Sequence, residues 1–198
     1  MRHKSLQSGF LLMETMIALA VLMIGLIGLA AVLADGMAYM QLSQNDYIAQ
    51  QKAAEAVESI FTARDIGQAT WSTICNVNSI AVCGNGGIFV NGPAPLCGPG
   101  PDGIVGTTDD VYGGSCAGPP LAAPDAIILP NSGGIVNATS GQLVPLSNFT
   151  RTITISTVVD PSNNPIANLR QNQVTVTYTV GRWKNRSYTL TAYISNFS

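Results

Sequence analysis

Polarity along the chain divides it into four stretches. From Phe10 to Ala34 the residues are apolar, small or a lone Thr, apart from one carboxylate, Glu14. The uncharged residues from Thr15 to Ala34 would make about 30 Å of helix at 1.5 Å per residue, the thickness of a hydrocarbon core. After Asp35-Gly36 the pattern turns amphipathic: Ala53, Ala56, Val57, Ile60 and Phe61 recur at helical spacing, which predicts a stripe facing a domain. Read without a break, Phe10 to Asp65 is one helix of roughly 84 Å. Glu55 and Glu58 fall off the stripe and are expected to be solvated.

From Gly67 to Gly141 Gly, Pro, Asn and Ser dominate, and only short apolar runs such as GGIFV and DAIIL interrupt them, a pattern of long loops with a few short strands. The last stretch alternates strictly in RTITISTVVD, QVTVTYTVGR and SYTLTAYIS. It places Ile153, Ile155 and Val159, then Val174, Val176, Tyr178 and Val180, then Leu190, Ala192 and Ile194 on one face, with Thr filling the other. Such alternation fits a half-exposed antiparallel sheet. The last two runs read as a hairpin connected through Trp183 to Arg186, with the run from Arg151 as a third strand. The expected fold class is α+β: a long N-terminal helix packed on a C-terminal antiparallel β-sheet of three to four strands, with a loop-rich insert.

The 198 residues suffice for one globular domain plus an appendage. Charged residues are 10% of the chain and the net charge is −2, so the composition proposes neither nucleic acid nor an acidic substrate. The one histidine, His3, precedes the apolar run. Without it a Ser-His-Asp or Cys-His system cannot be assembled, which argues against an enzyme. Arg2, His3 and Lys4 place positive charge before the span, a bias that keeps the N-terminus cytoplasmic and exports the bulk of the chain beyond the span. Val32-Leu33-Ala34 could mimic a signal-peptide cut, but the apolar run is longer than such signals have.

All four cysteines, Cys75, Cys83, Cys97 and Cys116, lie in the loop-rich part, with spacings that match neither a zinc knuckle nor a CxxC motif. Structural disulfides in an oxidising compartment are expected, with free thiols as the alternative. Of three possible pairings, short loop closure favours Cys75 with Cys83 and Cys97 with Cys116. Between the last two lies GPGPDGIVGTTDDVYGG, where Asp102, Asp109 and Asp110 sit on a Gly-rich backbone. Carboxylates and bendable carbonyls suit a hard cation such as Ca²⁺, although the EF-hand spacing is absent. The competing reading is a surface turn cluster. Arg182, Lys184 and Arg186 around Trp183 form the one basic and aromatic cluster of the exported part, read as a solvated hairpin tip rather than a DNA contact.

A carboxylate in a spanning helix costs roughly 2.5 to 3.5 kcal/mol at the centre and less near an end, so Glu14 asks for a partner. No Lys or Arg occurs between Lys4 and Lys52. A cut before Phe10 would create a positive charge by freeing an α-amino group. The basic leader, Gly9, the Phe10-Leu11-Leu12-Met13-Glu14 sequence and the apolar run after it resemble the class III signal of type IV pilins and type II secretion pseudopilins. IGLIGLA, from Ile24 to Ala30, resembles the PilV-type minor pilins within that family. Major pilins often carry a proline in this helix. Phe10 to Asp65 has none, and Gly25, Gly28 and Gly36 could supply local softness instead.

The resemblance implies cleavage between Gly9 and Phe10 by a prepilin peptidase, N-methylation of Phe10, and assembly in which Glu14 neutralises a neighbouring subunit's N-terminal amine. It implies other pilin or pseudopilin subunits, an assembly platform and membrane lipid as partners, and passage from the cytoplasmic membrane into a pilus or pseudopilus. The organisation expected is a leader over 1–9, a membrane or filament-core half-helix over 10–34, an amphipathic half-helix over 35–66, the insert over 67–148 and the sheet over 149–198. A membrane-anchored exported binding module, for adhesion or DNA uptake, is the alternative. So is a plain anchor in which Glu14 reaches the headgroups.

Overall fold

The computed structural model describes residues 12–84, 86–118, 122–129, 142–180 and 183–196. The chain divides into two compact units, Met1–Ser43 and Gln44–Ser198. What is described of the first is helical throughout and belongs to helix α1 (Leu12–Asp65). Every residue from Leu12 to Met37 is exposed, including Leu12 at 77%, Ile24 at 72% and Ile27 at 70%. α1 is long and apolar enough to cross a membrane near the N-terminus.

In the second unit α1 buries Ala49, Ala53, Ala56, Val57, Ile60 and Ala63. Five of these are alanine or valine, short side chains that admit close approach of the elements packed on them. Phe61 is only partly buried and lies under the Arg64 guanidinium, 5.5 Å from the ring centroid. Gly67, at φ 75°, takes the left-handed conformation that ends the helix.

Among the described residues eight strands follow: β1 (Ala94–Pro95), β2 (Val111–Tyr112), β3 (Ser115–Cys116), β4 (Ala126–Leu129), β5 (Gln142–Pro145), β6 (Phe149–Val159), β7 (Pro165–Val180) and β8 (Trp183–Ser195), with a short helix α2 (Ile80–Cys83) before them. The main sheet has the order β1-β6-β7-β8 and is antiparallel throughout, whereas β2-β3 and β4-β5 form two small ribbons. This is an α+β architecture. Buried Phe149, Ile153, Ile155, Val174, Val176, Tyr178 and Ile194 line one face of the sheet. On the other face Thr152 pairs with Thr175 and Thr175 with Thr189, whose hydroxyls are 2.9 Å apart. The Tyr178 hydroxyl donates to Asp46, and Arg64 Nη1 donates to the Ser195 carbonyl at 3.1 Å, so the helix is tied to β7 and β8.

Several expectations need correction. The insert supplies an edge strand, because Ala94 and Pro95 pair with Arg151 and Thr150. GGIFV forms no strand. Phe89 makes only isolated bridges, to Asn76 and Thr107, and is fully buried. Trp183 to Arg186 belong to β8 and not to the connection: Val180 pairs with Trp183 and Tyr178 with Arg186, across a register shift that Asn185, at φ 57°, accommodates. Val159 is half exposed, because β6 also shifts register between Thr157 and Val159. Finally, the inner face of the sheet is not purely apolar, since Arg151, Arg170 and Asn172 are buried on it.

Candidate functional site

Glu14 sits in the first turn of α1 as described and is exposed among apolar neighbours such as Met13 and Ile17. The proposed cleavage pair, Gly9 and Phe10, lies outside the described residues, as do Arg2, His3 and Lys4. So does Arg182 of the basic cluster. Of that cluster, Arg186 is engaged: its Nη2 lies 3.3 Å from Asp46 Oδ2, beside the Tyr178 hydroxyl. Burial and the bond to Asp46 push the Tyr178 phenol up from its ordinary value.

The cysteines pair Cys75 with Cys83 and Cys97 with Cys116, leaving none free. The first bridge encloses α2 and the second the acidic stretch. A segment with little core of its own is thereby held by short covalent loops, each contributing on the order of 2 to 4 kcal/mol in the chain-entropy account. Persistent disulfides accord with an oxidising, exported compartment.

Asp102, Asp109 and Asp110 do converge, with ligand oxygens all within 4.8 Å of one another. Each already serves the loop. Asp102 Oδ1 accepts the Ile104 N–H at 2.8 Å, and Asp109 Oδ1 accepts the Thr107 hydroxyl at 2.5 Å. Asp110, fully buried, accepts the Gly106 N–H at 2.6 Å, the Thr107 N–H at 3.3 Å and the Gly100 N–H. A Cβ at Gly100 would press on the Asp109 carboxylate, which would have to swing aside to admit it. Three carboxylates this close could supply a hard cation, but the same bonds account for a loop closed by acidic caps.

Burial pushes the Asp110 carboxyl up to about 6, against the pull of its three N–H donors and with the charge of Asp109 adding to the rise. Asp102 is raised as well, first by burial. A carboxyl that binds its proton more tightly folded than unfolded stabilises the fold most below the unfolded value, 3.8, and loses that contribution as pH climbs through about 6. Asp110 is therefore expected to make stability fall by roughly 1 to 3 kcal/mol between pH 4 and 7. Urea denaturation of wild type and Asp110→Asn across that range checks it: the variant should lose most of this slope. Ca²⁺ at millimolar concentration, which competes only with the ionised form, should raise the midpoint at pH 7 if the cluster holds a cation and leave it unmoved if the cluster is a turn.

Four groups that the alternation did not single out organise the rest of the unit. Asn76 is buried, and its amide acts as a missing strand: Nδ2 donates to the Ile153 carbonyl at 2.7 Å, and Oδ1 accepts the Ile155 N–H at 2.7 Å. Arg170 donates to the carbonyls of Trp71 (2.5 Å), Ile74 (2.6 Å) and Val82 (3.4 Å), with its guanidinium 4.1 Å from the Trp71 ring centroid. Arg151 is buried with Nη1 unpartnered, and burial lowers its pKa against the raising charges of Glu55, Asp110 and Asp125. Lys52 Nζ lies 2.7 Å from Glu55 Oε2 and 2.5 Å from Asp125 Oδ2, so Glu55 is paired and not merely solvated. Glu58 is exposed. Parity was a usable signal for Arg151 and Arg170, which stand two residues before Ile153 and four before Val174 on their strands.

In comparisons with protein-family models, with curated proteins and with solved structures, nothing matches this chain.

Proposed function

We propose that the chain is a structural subunit of the type IV pilin and type II secretion pseudopilin class, a minor pilin or pseudopilin with no catalytic role. In this reading a prepilin peptidase cuts between Gly9 and Phe10 and methylates Phe10. The apolar half of α1 then leaves lipid to bundle with helices of other pilin or pseudopilin subunits at an assembly platform.

The observation that carries the reading is Glu14: the one ionisable side chain between Phe10 and Ala34, five residues past Gly9, on a helix whose apolar side chains are exposed from Leu12 to Met37. Such a surface requires lipid or other helices. An unpaired charge in that surrounding is expensive, so a neighbour's Phe10 ammonium opposite Glu14 would set the axial register of the bundle. The α+β unit beyond Gln44 and its two disulfides are consistent with an exported domain carried on that helix.

Mass spectrometry of the mature N-terminus tests the cut. N-methyl-Phe10 is expected, whereas a product beginning at Met1 or Asp35 removes the filament reading, the first in favour of an anchored binding module. Glu14→Val is expected to leave membrane insertion and export intact and to abolish incorporation into sheared filaments. Normal incorporation would remove the register role.

A further inference from the structure

The cluster of Lys52, Glu55 and Asp125 has the composition and placement of an amide-forming site. Lys52 Nζ lies 2.5 Å from Asp125 Oδ2, with side-chain exposures of 19% and 15%. Glu55, one helical turn on, places Oε2 2.7 Å from the same nitrogen. Asp125 is held through both its carboxyl and its main chain. Its Oδ1 accepts the Ala126 N–H at 2.9 Å, its own N–H donates to the Leu96 carbonyl at 3.0 Å, and its carbonyl accepts the Leu146 N–H at 3.0 Å. Among the charges acting on the buried Arg151, whose Nη1 has no partner, are both Glu55 and Asp125.

We propose that Lys52 and Asp125 condense into an intramolecular isopeptide bond that staples helix α1 to the segment before β4, with Glu55 as proton shuttle. One proton first passes from the Lys52 ammonium to Asp125 Oδ2, leaving a neutral amine beside a neutral carboxylic acid. The Nζ lone pair attacks Asp125 Cγ, the C–N bond forms, and the C=Oδ1 pair moves onto Oδ1. There the Ala126 N–H stabilises the developing oxyanion, helped by the nearby cation of Arg151. Glu55 takes a proton from Nζ and returns it to Oδ2. The C–Oδ2 bond breaks, Oδ1 re-forms its carbonyl and one water leaves. An ammonium and a carboxylate become an amide and water, with no change of oxidation state and no co-reactant.

At rest the trio is an ion pair. Burial pulls the Lys52 ammonium down, but the bonds and charges of Asp125 and Glu55 outweigh it and leave its pKa raised. The reacting tautomer is therefore a minor one. The reaction happens once per molecule, and because the fold holds the two groups together the amide outweighs its hydrolysis, so a slow rate suffices over the life of an exported protein. Proximity supplies what solution chemistry lacks, since held reactants behave as if at very high concentration.

The test is peptide mapping by mass spectrometry of the full chain purified in detergent and reduced, for wild type, Glu55→Gln and Lys52→Arg. In the wild type a branched peptide joining residues 52 and 125 is expected, lighter by one water than its two parts. It should be lost in Lys52→Arg, which keeps the cation, and reduced at least tenfold in Glu55→Gln, with circular dichroism establishing that both variants fold. Separate, unmodified peptides in the aged wild type overturn the proposal. A water loss confined to one linear peptide, as a succinimide would give, also overturns it. Undiminished cross-linking in Glu55→Gln overturns the shuttle. The inference does not rest on the filament reading: the N-terminal peptide reports one, and the 52–125 peptide reports the other.

Discussion

Arg170→Ala is expected to lower the stability of the Gln44–Ser198 unit by about 3 to 5 kcal/mol, because three hydrogen bonds from a charged donor and a stacked cation–π contact vanish together. The carbonyls of Trp71, Ile74 and Val82 lose their donor, Trp71 loses its cover, and the Cys75–Cys83 segment comes away from β7. The denaturant midpoint should fall, and limited proteolysis should open new sites between residues 70 and 84 at concentrations that leave the wild type intact. Arg170→Lys should recover less than half of the loss. An ammonium keeps the charge but has no planar fork with which to reach three carbonyls and lie flat on an indole. A midpoint within error of wild type for Arg170→Ala would mean that the segment is held by its disulfide alone.

Asn76→Ala should cost about 2 to 4 kcal/mol, since the Ile153 carbonyl and the Ile155 N–H would remain buried with nothing to pair. The loss is local as well as global: the Ile155 amide should exchange with solvent much faster, whereas Val174 and Val176, in the middle of the sheet, should keep their protection until global unfolding. Asn76→Asp tells the two halves of the amide apart. Its oxygen can still accept from Ile155, but the ionised carboxylate cannot donate to Ile153 and carries charge into the core. A buried carboxyl of this kind has a raised pKa, so Asn76→Asp should regain stability as pH falls, when the protonated acid again offers a donor. A pH-independent deficit in that variant would count against the edge-pairing role.

Both predictions concern the same design problem. β6 is paired with β7 on one side, but on its other side, among the described residues, only Thr150 and Arg151 meet a strand, the two-residue β1. Next to it the loop closed by Cys75 and Cys83 covers Ile153 and Ile155 with a side-chain amide, and the Asn91 carbonyl accepts the Ile153 N–H at 3.1 Å. Gly87 lies against this loop so closely that a Cβ there would collide with the Asn76 carbonyl. An uncovered edge is a template for unwanted strand pairing, so the insert protects this side of the sheet.

The alternation of Val174, Val176 and Tyr178, the alanine-rich stripe on α1 and the short cysteine spacings were enough to read a helix, an antiparallel sheet and two local disulfides, because each depends on neighbours a few residues apart. Glu14 within an apolar run belongs to the same class, since it is a property of consecutive residues and needs no fold to be noticed. What only the tertiary structure decided is where the polar groups of the insert find their partners. Asn76 lies 77 residues from Ile153, Arg170 lies 96 from Ile74, and Lys52 meets Asp125, at the head of the short run DAIIL far along the chain. Periodicity measures which face a residue occupies; it does not say which distant carbonyl or carboxylate will be waiting there. The acidic loop falls between the two cases: the clustering of Asp102, Asp109 and Asp110 was visible in the chain, but their occupation by N–H and hydroxyl donors exists only once Gly100 and Gly106 have folded the backbone around Asp110.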